Sequence, residues 1–262
     1  MINVLDLPGI NADGITDDTA VIARAIRDAR TGERIHFPVG EYLIRTVWIS
    51  GKQQLKISGE GTLIPANPAN PILRINTKAG VPTNGLIIEG LLIRGTVAFN
   101  GAHHSTVRDC RFLEQPGHPG IRAFNTHDLI LRANHIYGRS IGIECYSPDS
   151  RYTGNILTDC DIAIQSNSAN VMIDNNRMFP YPGSMQTGIY LGGLAKWMHL
   201  IGIHYNNIGH PDGFGIHARF PLDANDCWIT GNQFLQADGK DLIYNVEMDE
   251  SQQQIRRMDR PY

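Results

Sequence analysis

The chain has 262 residues, a formal net charge of -3, 42% hydrophobic residues and only 19% charged ones. Such a length buries a large core without disulfides, and 27 glycines point to many tight turns, which excludes a simple helical bundle. Lys and Arg are scattered, so nucleic acid is excluded as a partner, and no apolar run reaches the roughly 18 residues that span a membrane, so no membrane partner is expected.

The opening MINVLDLPGINADGITDDTA has no basic start and no apolar segment, so no signal peptide is expected. A helix is predicted over 17–31. Thr16 suits its N-cap, and Asp17 and Asp18 suit its first turn, where carboxylates favour the helix dipole. Val21, Ile22, Ala25, Ile26 and Ala29 then recur on one face, and Gly32 ends the run. From Ile35 and Phe37, through the Pro38-Val39-Gly40 turn to Tyr42-Leu43-Ile44, the apolar period becomes two.

The remainder repeats itself. LILRANHI (129–136), SRYTGNIL (150–157), VMIDNNRM (171–178), GIHYNNIG (202–209) and CWITGNQF (227–234) place Asn at 134, 155, 176, 207 and 232. STVRDCRF (105–112) puts Cys110 in that slot, and NGLIIEGLLI (85–94) puts Leu92 there. Between these copies a small residue, then Ile, recurs: GIRAF (120–124), GIECY (142–146), AIQSN (163–167), GIYLG (188–192), GIHAR (215–219) and LIYNV (242–246). Short strands with a polar residue at each bend describe a coiled parallel sheet, in which each coil completes the core of its neighbour. Asn fits the bend because it tolerates left-handed backbone and its amide bonds neighbouring groups, so a stacked ladder is expected. Cys110, Cys145, Cys160 and Cys227 lack metal or disulfide spacing and read as buried small hydrophobes.

DGITDDTAVIARAIRDA (13–29) followed by RIHFPVGEYLI (34–44) resembles the start of the pectate-lyase-like right-handed parallel β-helix proteins. The resemblance implies an all-β solenoid, a right-handed parallel β-helix plugged by the N-terminal helix, over 1–246. A polar tail over 247–262 follows. It also implies a superfamily devoted largely to polysaccharides, bacteriophage tailspikes among them. Within DGITDDT the aspartates read as servants of the helix start, not as catalysts.

Polygalacturonases share this fold and carry NTD, DD-C-IAI and GHG on successive coils. NILTDCDIAIQSNSANVMIDNN (155–176) resembles their middle coil, but Asp159 and Cys160 take the aspartate slots. Arg139-Ser140-Ile141 and Gln186-Thr187-Gly188 take the other two motifs. A thiol cannot replace the general acid, so that chemistry is rejected.

Strand alternation puts the motif isoleucines inside and Arg122, Glu144, Gln165, Tyr190, His217 and Tyr244 outside as one column. Phe124, Tyr146, Asn167, Gly192 and Arg219 form a second column. Coils stack about 4.8 Å apart, which suits an extended glycan. The catalytic candidates are Glu144 as acid or base, with Tyr146, Arg122, and Asp149 and Arg151 from the following loop. Gln165, Tyr190, His217, Arg219 and Tyr244 are the glycan-binding candidates. Glu144 lies about 14 Å from His217, too far for hydrolysis by that pair. A Tyr146–Arg122–Glu144 cluster suits lyase or epimerase work instead. One carboxylate in the columns makes no Ca²⁺ cage, so no metal and no cofactor is expected.

A large extracellular polysaccharide, no export signal and reduced cysteines together fit a virion protein. The partners expected are a surface glycan or uronan and two further copies of the chain, whose polar tail from about Met248 would cover the last coil. The alternatives are a free bacterial lyase, hydrolase or epimerase, and an adhesive β-helix without chemistry.

Overall fold

A computed structural model describes residues 1–78, 80–180, 185–193, 198–209, 213–222, 226–235, 243–246 and 256–257, with the backbone alone for 244, 245, 256 and 257. The chain winds into a right-handed parallel β-helix whose coils, among the described residues, are shared among three long sheets of ten, eleven and nine strands, here A, B and C. Every pairing within these three sheets is parallel, one coil above the next: Ile143 of sheet C pairs with Ile121 before it and Ile164 after it. The motif isoleucines Ile121, Ile143, Ile164, Ile189 and Ile216 are fully buried, each contributing roughly 1.5–3 kcal/mol of apolar burial.

The small residue before each of these isoleucines has a steric cause. A Cβ on Gly142 would lie 2.6 Å from the carbonyl oxygen of Ala163, and one on Gly120 would lie 2.8 Å from that of Gly142. Successive coils approach there backbone to backbone, so the position is closed to larger side chains.

The bend between sheets A and B carries the asparagine ladder. Asn134, Asn155, Asn176, Asn206 and Asn232 are all buried. Each Oδ1 from Asn155 onward accepts from both the backbone N–H and the Nδ2 of the asparagine one coil earlier, at 2.9–3.0 Å. Each Nδ2 also donates to a backbone carbonyl, as Asn206 does to Ile173 at 2.9 Å. The rung expected at Asn207 is Asn206; Asn207 begins the next strand, paired with Arg177. The slot assigned to Leu92 belongs to buried Leu91, since Leu92 pairs with Arg111, the residue after Cys110. In each case the bend lies one residue earlier than the pattern suggested. The Cys110 slot is correct: its N–H donates to Asn134 Oδ1 at 3.1 Å.

The N-terminal helix runs Thr19–Asp28, not 17–31, and Ile22, Ala25 and Ile26 bury its inner face. Thr16 lies in the strand Asp13–Asp17, and Asp18 takes the N-cap place without a side-chain cap bond. The buried Asp18 carboxylate instead accepts from the N–H groups of Asn11 and Ala12 at 2.9 and 3.1 Å, pinning the preceding turn. Asp17 accepts from Thr19 N–H at 3.0 Å and pairs with Arg45 at 2.9 Å. At the far end, backbone 256–257 adds a parallel rung beside 233–234 of sheet B.

Candidate functional site

Sheet C carries the first predicted column; of the second, Phe124 and Tyr146 are register partners and Arg219 lies on a strand, whereas Asn167, which is buried, and Gly192 follow the ends of their strands. Arg122, Glu144, Gln165, Tyr190, His217 and Tyr244 are successive register partners across six strands. The side chain of Tyr244 lies outside the described residues.

Charge and aromaticity are grouped along this face. Arg122 Nε donates to Glu144 Oε2 at 2.6 Å. The Glu144 side chain is 10% exposed and the Arg122 side chain 43%. One coil apart, Phe124 and Tyr146 stack with centroids 4.7 Å apart and planes at 25°, and the Arg122 guanidinium lies 5.7 Å from the Phe124 centroid. Burial, and then the Glu144 charge, push the Tyr146 phenol above its ordinary value, against a hydrogen bond with Gln165. At neutral pH Tyr146 is therefore a neutral hydrogen-bonding and stacking group, not a base. Further along, His217 meets Tyr190 edge-on at 5.2 Å and Phe214 at 4.7 Å. Burial holds the His217 imidazole below the ordinary histidine value, so it is unprotonated at neutral pH. Exposed Arg219 follows on the same strand, its guanidinium 5.2 Å from the Phe220 ring.

Two predicted members stand elsewhere. Arg151 belongs to sheet A, where it grips Asp174 with two bonds of 2.9 and 2.8 Å. Asp149 sits in the intervening turn with φ 57° and accepts from Asn170 Nδ2 at 2.5 Å. Nearness to Glu144 along the chain is misleading, because the turn after Tyr146 carries the backbone to another sheet.

The face also extends further than the Gly-Ile motif reveals. Register partners continue the column backwards as Ala98, Arg74 and Trp48. Their signal was present as Val47-Trp48-Ile49 and Leu73-Arg74-Ile75 alternation, but without the small residue that marks later coils. At the locus similar to the polygalacturonase motif, Glu114, Tyr137, Arg139, Asp159 and Asp161 line a cavity of about 330 Å³. Cys160 is buried and its thiol is pushed up to about 12, so it serves as a core residue there. Among the described residues, no group of three or more His, Cys, Asp or Glu is placed to hold a metal ion.

The family model of the right-handed beta helix region matches residues 57–178 and 89–247. The chain belongs to the right-handed β-helix family. A second model, rhamnogalacturonase A/epimerase, pectate lyase-like, matches residues 1–81 of this β-helix protein. No curated protein matches it by sequence. Among solved structures it is similar to ORF18 of Geobacillus virus E2, with a TM-score of 0.64 and 14% identity over 94% of this chain. The chain spans only 59% of that viral protein. It is similar to the Streptococcus pneumoniae surface adhesin PfbA, with a TM-score of 0.60, 16% identity, and 95% and 73% of the two chains covered. It is also similar to the A-module of the Azotobacter vinelandii mannuronan C-5 epimerase AlgE6, with a TM-score of 0.57, 14% identity, and 94% and 79% covered. At these identities the likeness is one of fold.

Proposed function

We propose that the outer face of sheet C binds an extended polysaccharide and cleaves it, as part of a virion protein of the tailspike type that acts as a homotrimer. The observation that carries this reading is the continuous column from Arg122 to His217, one residue per coil, beside the stacked Phe124–Tyr146 pair. Its rise of about 4.8 Å per coil lets successive sugars meet successive side chains. Aromatic rings cover the apolar faces of pyranoses, while Gln165 and the Arg122–Glu144 pair address hydroxyls and charge.

For chemistry, proton abstraction beside a uronate carboxylate fits this face best. His217, kept unprotonated by burial, is the group suited to act as the base. Arg219, two residues on, supplies the charge that stabilises the developing anion, and Tyr190 stands one coil earlier as a proton donor. Glu144, its charge already bound to Arg122, positions that guanidinium for the glycan. A mannuronan epimerase among the similar folds lends support to a uronan substrate.

The test is a panel of uronans and bacterial surface polysaccharides, followed by ultraviolet absorbance of unsaturated product and by reducing ends. Cleavage of one polymer, abolished in His217→Ala with binding retained, is the expected result. Binding without cleavage anywhere on the panel, or an unaffected His217→Ala, overturns the catalytic reading. Light scattering tests the assembly: a trimer is expected, and a monomer points to a free enzyme.

A further inference from the structure

Four coils before Glu144, the same face of sheet C opens into a cavity of about 830 Å³ between the N-terminal helix and the first strands. Its walls are Ala23 and Ile26 of the helix, Trp48 and Val81. Trp48 is 52% exposed and lines the cavity, so indole surface is open to a ligand there. Arg74 holds its guanidinium 4.9 Å from the Trp48 ring centroid.

The rim is cationic. Arg27, Lys52 and Lys78 line the cavity, and no Asp or Glu does so among the described residues. Two of these charges are engaged: Arg27 pairs with Asp28 at 3.2 Å, and Lys52 donates to the carbonyls of Arg27 and Ala29 at 2.6 and 2.7 Å. Lys78 and Arg74 have no carboxylate partner among the described residues. Asn76 also lines the cavity, and its buried Oδ1 has no hydrogen-bond partner. A buried acceptor left unpaired is costly, and a turn of the Asn76 amide toward the cavity would let a ligand hydroxyl satisfy it.

Asn76 is shared with the next cavity along the face, about 440 Å³, which Arg74, Arg122 and Phe124 line. Ala98, between Arg74 and Arg122 in the column, leaves room for a ring there. The trough therefore runs from Trp48 to the central columns.

We propose that the Trp48 cavity is a second, remote subsite that holds an acidic pyranose, roughly 19 Å from Glu144. The sugar's apolar face lies on Trp48, its anionic group meets Lys78 and Arg74, and a hydroxyl donates to Asn76 Oδ1. The proposal rests on sheet C being the glycan face, but not on His217 or on cleavage.

The test measures binding of galactose-based hexamers to the full chain by calorimetry: oligogalacturonate, a sulfated carrageenan oligomer and a neutral galactan. Acidic hexamers should bind at least tenfold more tightly than the neutral one, and the first two arms distinguish carboxylate from sulfate as the anion. Trp48→Ala and Lys78→Ala should each erase at least fivefold of that preference. Both side chains are exposed, so their melting temperatures should match the parent. Equal binding of acidic and neutral hexamers, no binding of either acid, or unaltered binding by both variants overturns the subsite. If the preference depends on Trp48 while His217→Ala leaves every cleavage assay unchanged, the subsite stands and the catalytic reading falls.

Discussion

The asparagine doublet at 206–207 offers a stringent test of the ladder, because neighbouring identical residues have opposite roles. Asn206 accepts at Oδ1 from the backbone N–H and the Nδ2 of Asn176, both at 3.0 Å, and donates to Ile173 and Asn232 at 2.9 Å. Asn206→Leu keeps the volume and removes all four bonds. Asn232 Oδ1 retains one donor, Asn206 N–H at 2.9 Å. The two Asn176 donors lose their acceptor, and each buried unsatisfied group costs about 1–3 kcal/mol. Part of this is offset by apolar burial of leucine, leaving a net loss of about 3 kcal/mol. In a chain of this size that is a fall of roughly 6–12 °C in melting temperature. Asn207 Oδ1, by contrast, is buried with no hydrogen-bond partner among the described residues. Asn207→Leu should cost under about 1 kcal/mol, since no side-chain acceptor bond is lost. Urea and thermal unfolding followed by circular dichroism measure both. A loss below about 1 kcal/mol for Asn206→Leu, or equal losses for the two variants, would refute the ladder as placed.

Glu144→Gln should weaken glycan binding while costing only about 1 kcal/mol of stability, because its partner Arg122 is 43% exposed and screened; titration with the cleaved polymer and thermal melts check the two parts. Burial lowers the pKa of His103, His135, His204 and His217. The unfolded state therefore binds protons more readily, and stability present above about pH 6.5 is lost as pH falls through the folded values. Melting temperatures should fall between pH 7.5 and pH 5, and a rise would contradict the burial of these rings. The thiols of Cys110, Cys145, Cys160 and Cys227 are pushed up to about 12 by burial. Native protein should thus leave all four unreactive to a chromogenic disulfide reagent, and urea should release them together.

The coiled sheet was legible because its two constraints are written in residue types. Gly or Ala before the core isoleucine reports backbone contact between coils, and Asn at the bend reports an amide that must bond in two directions. The first outward column followed from alternation alone. Boundaries were less legible. Thr16, Asp17, Asp18 and Thr19 all suit a helix start, and only the fold shows Asp18 turned back onto the 11–12 turn. Two adjacent asparagines cannot be ranked without knowing where the bend falls. Arg151 looked like a neighbour of Glu144 because chain distance does not show which sheet a turn leads to. Trp48 and Arg74 were passed over because their coils reach sheet C without the Gly-Ile signature.

The interval between ladder rungs has a consequence for how such a face changes length. Asn134, Asn155 and Asn176 are spaced by one identical interval of 21 residues, and each rung bonds to groups of the adjacent coils. A coil is therefore an interchangeable module. Its duplication or excision reproduces the same contacts at the new junction, whereas a one-residue insertion within a strand turns the inward residues that follow it outward. The molecule behaves as a ruler graduated in steps of about 4.8 Å. Its reach along a polymer can grow or shrink only by whole graduations.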